Sequence, residues 1–178
     1  WEDRNTCVLF GDGAGAAVLQ RRDGARGVLA TRLGSDGNKA DILAMPGGGC
    51  RQPATVDSVN ERIHFLKMEG GEVYKAAVNA MTAAAKEVLE ISGLSIEDIQ
   101  CIIPHQANQR IISAIGSRLG AREDQVFVNL QKYGNTSAAS VAVALDEALQ
   151  TGKIKRGDKI LIIAFGAGLT WGATVLEW

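Results

Sequence analysis

The chain has 178 residues, of which 46% are hydrophobic and 22% charged, and its formal net charge is −1. A length close to about 150 residues is typical of one domain with its own hydrophobic core, so folding requires neither disulfides nor metals. The near balance of charge argues against a nucleic-acid-binding protein, which normally carries a basic excess. The sequence has no run of about 18 apolar residues, the length that a transmembrane helix needs.

The start of the chain and its cysteine content bear on the compartment. The first residues have neither the basic nor the apolar region of a signal peptide, and Trp1 in place of Met suggests a piece of a longer protein. Three cysteines without a CxxC pair are typical of reduced thiols. Two histidines cannot build a His-rich metal site, and the ligand spacing of a zinc site is absent. We therefore expect a cytoplasmic protein without a metal site.

The first half of the chain combines Gly-rich segments with one long helical pattern. Residues 7–20 predict an apolar strand, a Gly-rich turn and a second strand, and residues 27–37 predict another strand. The region 39–60 is punctuated by Gly and Pro, so we expect mostly loop. The Ala-rich segment 71–92 predicts a helix that ends at Gly93.

The second half alternates strands and helices. Strands are predicted at 101–104 and 125–130, and helices at 108–120 and 137–151. The last residues, 159–178, read as two apolar strands about a Gly-rich turn. This order predicts an α/β fold with a terminal β-hairpin.

One predicted helix has an unusual composition. Residues 138–145 are small or apolar on every face, which is typical of a helix packed in the interior rather than on one surface. We therefore expect a layered protein in which this helix is covered on both sides.

Two features are interpreted as structural. Residues 11–16, GDGAGA, match the dinucleotide pattern G-x-G-x-x-G/A, but a strand-like sequence follows them instead of the required helix. Close packing is the favoured interpretation. His64 lies among mixed residues, and a surface or packing role is favoured over catalysis.

His105 and Asn135 are the candidate functional pair. His105 follows an apolar strand that Pro104 ends, and ligands bind at the carboxyl ends of strands in α/β sheets. Asn135 lies thirty residues later, after one predicted helix and one predicted strand, in the next strand-to-helix loop. The two side chains can therefore share a crevice. Position alone leaves open the alternative of a structural histidine and an ordinary loop asparagine.

Longer motifs around this pair carry a family resemblance. PHQANQRI at 104–111 and YGNTSAAS at 133–140 closely resemble the carboxyl-terminal half of β-ketoacyl-acyl-carrier-protein synthase III, of the thiolase superfamily. Segments 10–19, 66–75 and 152–176 resemble the same family, so the resemblance covers essentially the whole chain.

The resemblance implies a thiolase-like layered fold, a mixed sheet with a buried helix, in which residues 1–178 form the carboxyl-terminal domain and the amino-terminal half is absent. It implies an acyltransferase that condenses acyl-CoA, such as acetyl-CoA, with malonyl-acyl-carrier-protein by decarboxylative Claisen chemistry and so initiates fatty-acid synthesis. Acyl-CoA and malonyl-carrier-protein are then substrates, and no cofactor or metal is expected. The expected partners are acyl carrier protein and a homodimer mate, with no nucleic acid and no membrane.

The resemblance also assigns residues. His105 and Asn135 become the second and third members of a Cys-His-Asn set, two neutral donors for the enolate oxygen that decarboxylation creates. The backbone N–H of Ala167 becomes the donor to the thioester oxyanion. The other implied residues line the substrate path or receive the carrier protein: Gly70 and Asn108 in the CoA tunnel, Leu66 and Phe165 at the acyl pocket, and Arg110, Lys75 and Arg118 at the docking patch.

The nucleophilic cysteine of the family is missing. Such a cysteine sits at a helix N-terminus, whereas Cys7 and Cys101 are predicted on apolar strands and Cys50 in a loop. The chain alone is therefore expected to be inactive. Two alternatives stay open: a related condensing enzyme of polyketide or alkylquinolone type, and a non-catalytic half that binds carrier protein or CoA.

Overall fold

A four-stranded mixed sheet organises the chain in the computed structural model, which describes residues 2–21, 23–24 and 27–178. Its strands are β1 (Gly27–Ser35), β4 (Cys101–Pro104), β5 (Lys159–Gly166) and β6 (Thr170–Glu177), in the spatial order β1-β6-β5-β4. Strand β6 pairs antiparallel with β1 and β5, whereas β4 pairs parallel with β5. The predicted α/β fold, the mixed sheet and the terminal hairpin are confirmed.

The remaining elements surround this sheet. A small ribbon joins β2 (Leu43–Ala44) to β3 (Lys67–Met68). The α-helices are α1 (Arg4–Cys7), α2 (Val56–Asn60), α3 (Gly70–Ser92), α4 (Gln109–Leu119), α5 (Leu130–Tyr133) and α6 (Ala139–Gln150). Short 3-10 helices occupy Gly37–Ile42, Ile96–Asp98 and Glu123–Gln125.

The two faces of the sheet are covered by different helices. Successive residues of a strand point to opposite faces, and in β5 the side chains of Leu161 and Ile163 join the core formed with α3 and α4. Ile160 instead joins the core formed with α6, together with Cys101 and Ile103 of β4. Because β4 is buried on both faces, its carboxyl end lies deep in the protein between the two helix layers.

Long periodic segments behave as predicted. Helix α3 ends at Gly93, whose φ of 66° is the left-handed conformation of a helix C-cap. Helix α4 buries its predicted apolar stripe on the α3 side of the sheet. Strand β1 covers most of the predicted segment 27–37. The loop predicted at 39–60 is mostly irregular, although it holds one 3-10 helix, β2 and α2.

The two strands predicted within residues 7–20 are wrong for the described fold. Cys7 belongs to the short helix α1, and Phe10 makes a single parallel bridge to Asn135. Residues 11–20 form no strand, and Val18 and Leu19 are 97% and 89% exposed. A strand needs a hydrogen-bonded neighbour, and the described residues supply only that bridge.

The strand predicted at 125–130 is also wrong. Val126 makes an isolated bridge to Ile102, and Leu130 already begins α5. The cause lies in the side chain of Gln106, which is 1% exposed. Its Oε1 accepts the backbone N–H of Asn129 at 3.0 Å, and its Nε2 donates to the carbonyl O of Phe127 at 3.2 Å. A side chain therefore uses the backbone groups that a strand neighbour would need.

Helix α6 is buried on one face, and its other positions are half-buried or, at Asp146 and Gln150, exposed. Ser140, Ala144 and Ala148, spaced four residues apart, form its buried stripe toward the sheet. On the other side, a Cβ at Gly15 would lie 2.3 Å from the Cβ of Ala142, so the segment after Phe10 runs directly against the helix. The described residues therefore cover the second side of α6 only in part, whereas the sequence predicted a helix covered on both sides. Trp1, on which the prediction of a longer protein rests, lies outside those residues.

Candidate active site

A cavity of about 1260 Å³ lies among α3, α4, the start of α6 and the β5–β6 turn. Its wall is mainly apolar and includes Met68, Met81 and Ile111. Nine of the ten residues assigned by the resemblance line it: Leu66, Gly70, Lys75, His105, Asn108, Arg110, Asn135, Phe165 and Ala167. The structure thus brings together residues that lie up to about a hundred positions apart in the sequence, and it leaves Arg118 outside.

The position of His105 is set by the end of the parallel strand pair. Its backbone N–H donates to the carbonyl O of Ile163 at 2.7 Å, which extends the β4–β5 ladder by one step. Its Nδ1 lies 2.6 Å from the hydroxyl oxygen of Ser140 in α6. Burial lowers the pKa of His105 from 6.5 to about 4. The imidazole is therefore neutral near pH 7. A neutral imidazole can donate its N–H to a developing oxyanion and still keep the proton.

Asn135 is held by both its backbone and its side chain. The N–H donates to the carbonyl O of Leu9 at 3.1 Å, and the carbonyl O accepts the N–H of Gly11 at 2.9 Å. The side-chain Oδ1 accepts the backbone N–H of Ser137 at 2.9 Å. Because the amide oxygen is already bonded, the Nδ2 protons are the donors left for the cavity; Nδ2 has no acceptor among the described residues.

Residues at the start of α6 hold both donors, a feature that sequence reasoning missed. Ser137, with φ of 52°, donates its N–H to Asn135 just before the helix begins, and the hydroxyl oxygen of Ser140 lies within hydrogen-bond distance of Nδ1 of His105. The available signal was the spacing of Ser140 from Ala144 and Ala148 on the buried stripe of α6. A serine on that stripe, one turn nearer the helix start, lies beside the end of the neighbouring strand β4.

The turn between β5 and β6 carries Ala167 at the cavity wall. Leu169 and Asp36 exchange two backbone hydrogen bonds of 2.9 Å, which tie this turn to the end of β1. The hydroxyl of Thr170 donates to the carbonyl O of Ala167 at 3.1 Å. The turn is therefore held from both sides, as a backbone donor site requires.

The residues assigned to the substrate path lie on different parts of the wall. Leu66 and Gly70 flank the short strand β3, while Phe165 belongs to the end of β5. Asn108 caps α4, because its Oδ1 accepts the N–H of Arg110 at 2.8 Å. The cap fixes the orientation of the Asn108 amide.

The three cations assigned to carrier docking have different environments. The guanidinium of Arg110 lies 5.7 Å from the ring centre of Tyr74, so it covers an aromatic face at the cavity wall. Lys75 forms an exposed ion pair of 2.8 Å with Glu72 on the same helix. Arg118 donates to the side chain of Asn79 at 2.6 Å and thereby links α4 to α3.

No cysteine of the chain lines the cavity in the described structure. Cys7 is exposed in α1, not on the predicted strand, and Cys50 is exposed in a loop. Cys101 is buried in β4, and this burial raises the pKa of its thiol to about 11. His64 stacks against the ring of Phe65, with ring centres 4.4 Å apart, away from the cavity wall.

Other classes of site find little support. The glycines of the GDGAGA motif allow close packing: a Cβ at Gly11 would lie 2.3 Å from the carbonyl O of Tyr133. Among the described residues, no helix follows that motif, and no cluster of three or more His, Cys, Asp or Glu is placed to hold a metal. None of the described helices is long and apolar enough to cross a membrane.

Comparison with known proteins identifies the family and fold of the chain. The profile described as 3-oxoacyl-[acyl-carrier-protein] synthase III C terminal matches residues 89–178, and that of 3-oxoacyl-[acyl-carrier-protein] synthase III matches residues 1–37. The chain belongs to the 3-oxoacyl-[acyl-carrier-protein] synthase III family, with the thiolase-like fold, and corresponds to its carboxyl-terminal half.

Particular relatives show how far the likeness extends. Beta-ketoacyl-[acyl-carrier-protein] synthase III of Caldanaerobacter subterraneus is 57% identical over the whole chain, which covers 54% of that protein. The crystal structure of the synthase III from Aquifex aeolicus is 46% identical with a TM-score of 0.87, over 99% of this chain and 52% of the other. A priming β-ketosynthase of a polyketide pathway is 38% identical with a TM-score of 0.86, over 98% and 52%. The chain thus spans about half the length of these relatives.

Proposed function

We propose that this chain supplies the His-Asn half of the active site of a β-ketoacyl-acyl-carrier-protein synthase III, and that residues 1–178 are its carboxyl-terminal domain. The observation that carries the proposal is the orientation of two neutral donors in one apolar cavity. Asn135 has its amide oxygen bonded to Ser137, and His105 has its Nδ1 beside Ser140. The atoms left to face a substrate are the Nδ2 of Asn135 and the Nε2 of His105.

In the proposed reaction these donors act on malonyl-carrier-protein. The bond to the malonyl carboxylate breaks, CO2 leaves, and the electron pair moves onto the thioester oxygen as an enolate. Two N–H donors in a mainly apolar cavity stabilise that charge, and each such donor contributes about 2.7–4 kcal/mol to lowering the barrier. The low pKa of His105 keeps the imidazole neutral, so its proton remains in place as a hydrogen bond while the charge develops.

The acyl group arrives separately. Transfer from acyl-CoA to a cysteine thiolate releases CoA, and the enolate carbon then attacks the resulting thioester. The backbone N–H of Ala167 donates to the oxyanion formed in this attack, and the thiolate leaves as the β-ketoacyl-carrier-protein departs. The buried Cys101 is unsuited to the nucleophilic role because its pKa is raised to about 11; we assign that role to a cysteine in the half of the relatives that this chain does not span.

The walls of the cavity suggest how the substrates lie. Leu66 and Phe165 border the acyl chain, and Gly70 and Asn108 border the pantetheine arm of CoA or of the carrier protein. Arg110 and Lys75, at the cavity wall, offer positive charge to the acidic carrier protein, and such charges act mainly on the association rate. Lys75 is already paired with the carboxylate of Glu72 and Arg118 lies outside the cavity wall, so Arg110 is the strongest member of this patch. The protein is proposed to act as a cytoplasmic homodimer without a cofactor.

The direct test is condensation by the full-length protein. With acetyl-CoA and malonyl-acyl-carrier-protein, we expect acetoacetyl-carrier-protein and one CO2 per product, detected by mass spectrometry of the carrier protein. A control without acyl-CoA separates condensation from malonyl decarboxylation alone. Carrier protein and CoA that bind without any condensation, across a panel of acyl-CoA substrates, would contradict the proposal and indicate a non-catalytic binding protein.

A second candidate is a priming condensing enzyme of polyketide type. The solved polyketide priming synthase matches nearly the whole chain with a TM-score of 0.86. The acyl-CoA panel distinguishes the two, since preference for a starter other than acetyl-CoA would favour the polyketide candidate. The same assay covers an alkylquinolone-type enzyme.

A further inference from the structure

The function proposed above places Nδ1 of His105 beside the buried hydroxyl of Ser140 but assigns no direction to the bond between them. Ser140 lies in the first turn of α6 and is 3% exposed. Serine within a helix commonly bonds a carbonyl of the preceding turn, but this hydroxyl has two other neighbours. Its oxygen lies 2.6 Å from Nδ1 of His105 and accepts the backbone N–H of Gln106 at 3.2 Å.

The protons and lone pairs of the Ser140 hydroxyl determine which atom donates in its short bond to His105. A serine hydroxyl has one proton and two acceptor lone pairs. The Gln106 N–H occupies one lone pair, and the hydroxyl proton still needs an acceptor because the group is buried. If Nδ1 carried a proton, the oxygen would accept twice and its own proton would have no acceptor among the described residues. If Nδ1 is unprotonated, every group is satisfied.

We infer that Ser140 is a positioning residue that fixes His105 in the tautomer with its proton on Nε2. The hydroxyl donates to Nδ1 and accepts from Gln106, so the imidazole is oriented by the helix while its N–H faces the cavity. The inference rests on the proposed function only for its effect on rate. The tautomer itself is a property of the folded chain.

The packing of α6 against the sheet brings the hydroxyl of Ser140 to the His105 ring. Ser140 begins the stripe that continues through Ala144 and Ala148 against β4, whose end carries His105. Small side chains on that stripe allow the helix to approach the strand closely, so the hydroxyl reaches the ring directly. Replacement by alanine removes only the oxygen, and alanine has the higher helix propensity of the two residues.

The test is ¹⁵N NMR of the full-length protein labelled at histidine, near neutral pH. The His105 signals are assigned by their loss in His105→Gln. We expect Nδ1 at the shift of an unprotonated ring nitrogen and Nε2 at that of a protonated one. In Ser140→Ala, the two shifts should move toward each other as both tautomers become populated. Ser117→Ala, an exposed serine of α4, is the matched control and should leave the His105 signals unchanged.

Kinetics then connect the tautomer to the reaction. Loss of a group that orients a metal-binding histidine typically costs about 10–100-fold. By analogy, Ser140→Ala should slow malonyl decarboxylation by a similar factor and leave acyl transfer to the enzyme intact. Ser140→Thr, which restores the hydroxyl, should recover both the shifts and the rate. A wild-type Nδ1 that carries the proton, or His105 shifts that stay the same in Ser140→Ala, would overturn the inference. If the wild-type protein shows the expected tautomer but does not decarboxylate malonyl-acyl-carrier-protein, the proposed function is overturned instead.

Discussion

The two donors of the site are supported by different parts of the molecule. His105 extends a parallel strand pair buried on both faces, and α6 binds its ring from the side. Asn135 lies in a loop, and its backbone is held through one bridge to residues 9–11, near the start of the chain. Beyond that bridge the segment forms no strand, and its Val18 and Leu19 are exposed.

This difference shows that one site can combine a donor held by many core contacts with a donor held by few. The His105 support is made of strand and helix contacts that are part of the core. The Asn135 support depends on the return of a segment more than a hundred residues away, held by two backbone hydrogen bonds. Substitutions in the core should therefore affect both donors, and substitutions near Gly11 should affect Asn135 first.

The largest effect is expected from Asn135→Asp. The carboxylate keeps the oxygen that accepts from Ser137 but loses both Nδ2 protons and adds a negative charge near the developing enolate. Malonyl decarboxylation by the full-length protein should fall by at least about 10²–10³-fold, the effect of losing one oxyanion donor. Asn135→Ala is the matched variant without added charge, and stopped-flow CO2 release measures both. Activity in Asn135→Asp above that of Asn135→Ala would mean that the amide protons are not the donors.

Gln106 ties the end of β4, beside His105, to the segment before α5, and Gln106→Leu should destabilise the chain. Its amide bonds the backbone of Pro104, Phe127 and Asn129, at 2.8, 3.2 and 3.0 Å. Leucine fills the space but leaves these buried groups without a partner, so the free energy of unfolding should fall by about 3 kcal/mol. Urea denaturation measures this change. Gln150→Leu, at an exposed position of α6, is the control and should change the stability little. Similar stability losses in both variants would show that the hydrogen bonds of Gln106 do not contribute more to stability than those of an exposed glutamine.

The buried imidazole should make stability depend on pH. The folded pKa of His105 is about 4 against 6.5 in the unfolded chain, so the unfolded state binds more protons between these values. Stability from this group is therefore fully present above pH 6.5 and is lost as the pH falls toward 4, by about 2 kcal/mol between pH 7 and pH 5. His105→Gln should lose that part of the pH dependence, measured by denaturation at both pH values. His64→Gln is the control; an equal loss in that variant would contradict the assignment to His105.

The smallest effect is expected at the Asn135 support. A Cβ on Gly11 would lie 2.3 Å from the carbonyl O of Tyr133, and in Gly11→Ala the segment must shift beside Asn135. Overpacking outweighs the entropy that alanine recovers in the unfolded chain, so stability should fall by about 1 kcal/mol. Decarboxylation should fall more than acyl transfer. Gly37→Ala has open space and is the control. If Gly11→Ala left the decarboxylation rate unchanged, as Gly37→Ala should, the bridge at Phe10 would not be supporting Asn135.

The sequence was most informative where local patterns are long. The helix ending at Gly93, the buried stripe of α4 and the terminal hairpin follow from periodicity and glycine caps, and the structure contains all three. Residue roles depended instead on the resemblance of the motifs around His105 and Asn135 to a known family, and those roles remain proposals.

The failures have specific physical causes. The segment 125–130 looks like a strand, but Gln106 takes its backbone groups, and no local pattern reveals a side chain that competes from twenty residues away. The segment 7–20 has strand composition but finds only one bridge among the described residues. Ser140 was overlooked because its function depends on which strand α6 packs against, and that contact exists only in three dimensions.

We propose that His105 and Asn135 act on malonyl decarboxylation and not on acyl transfer. The most direct measurement compares both half-reactions in full-length His105→Ala: acylation of the protein by acyl-CoA, followed by mass spectrometry, and CO2 release from malonyl-acyl-carrier-protein. We expect normal acylation with decarboxylation slowed by about 10²–10³-fold. Equal slowing of the two half-reactions, or decarboxylation at the wild-type rate, would contradict it.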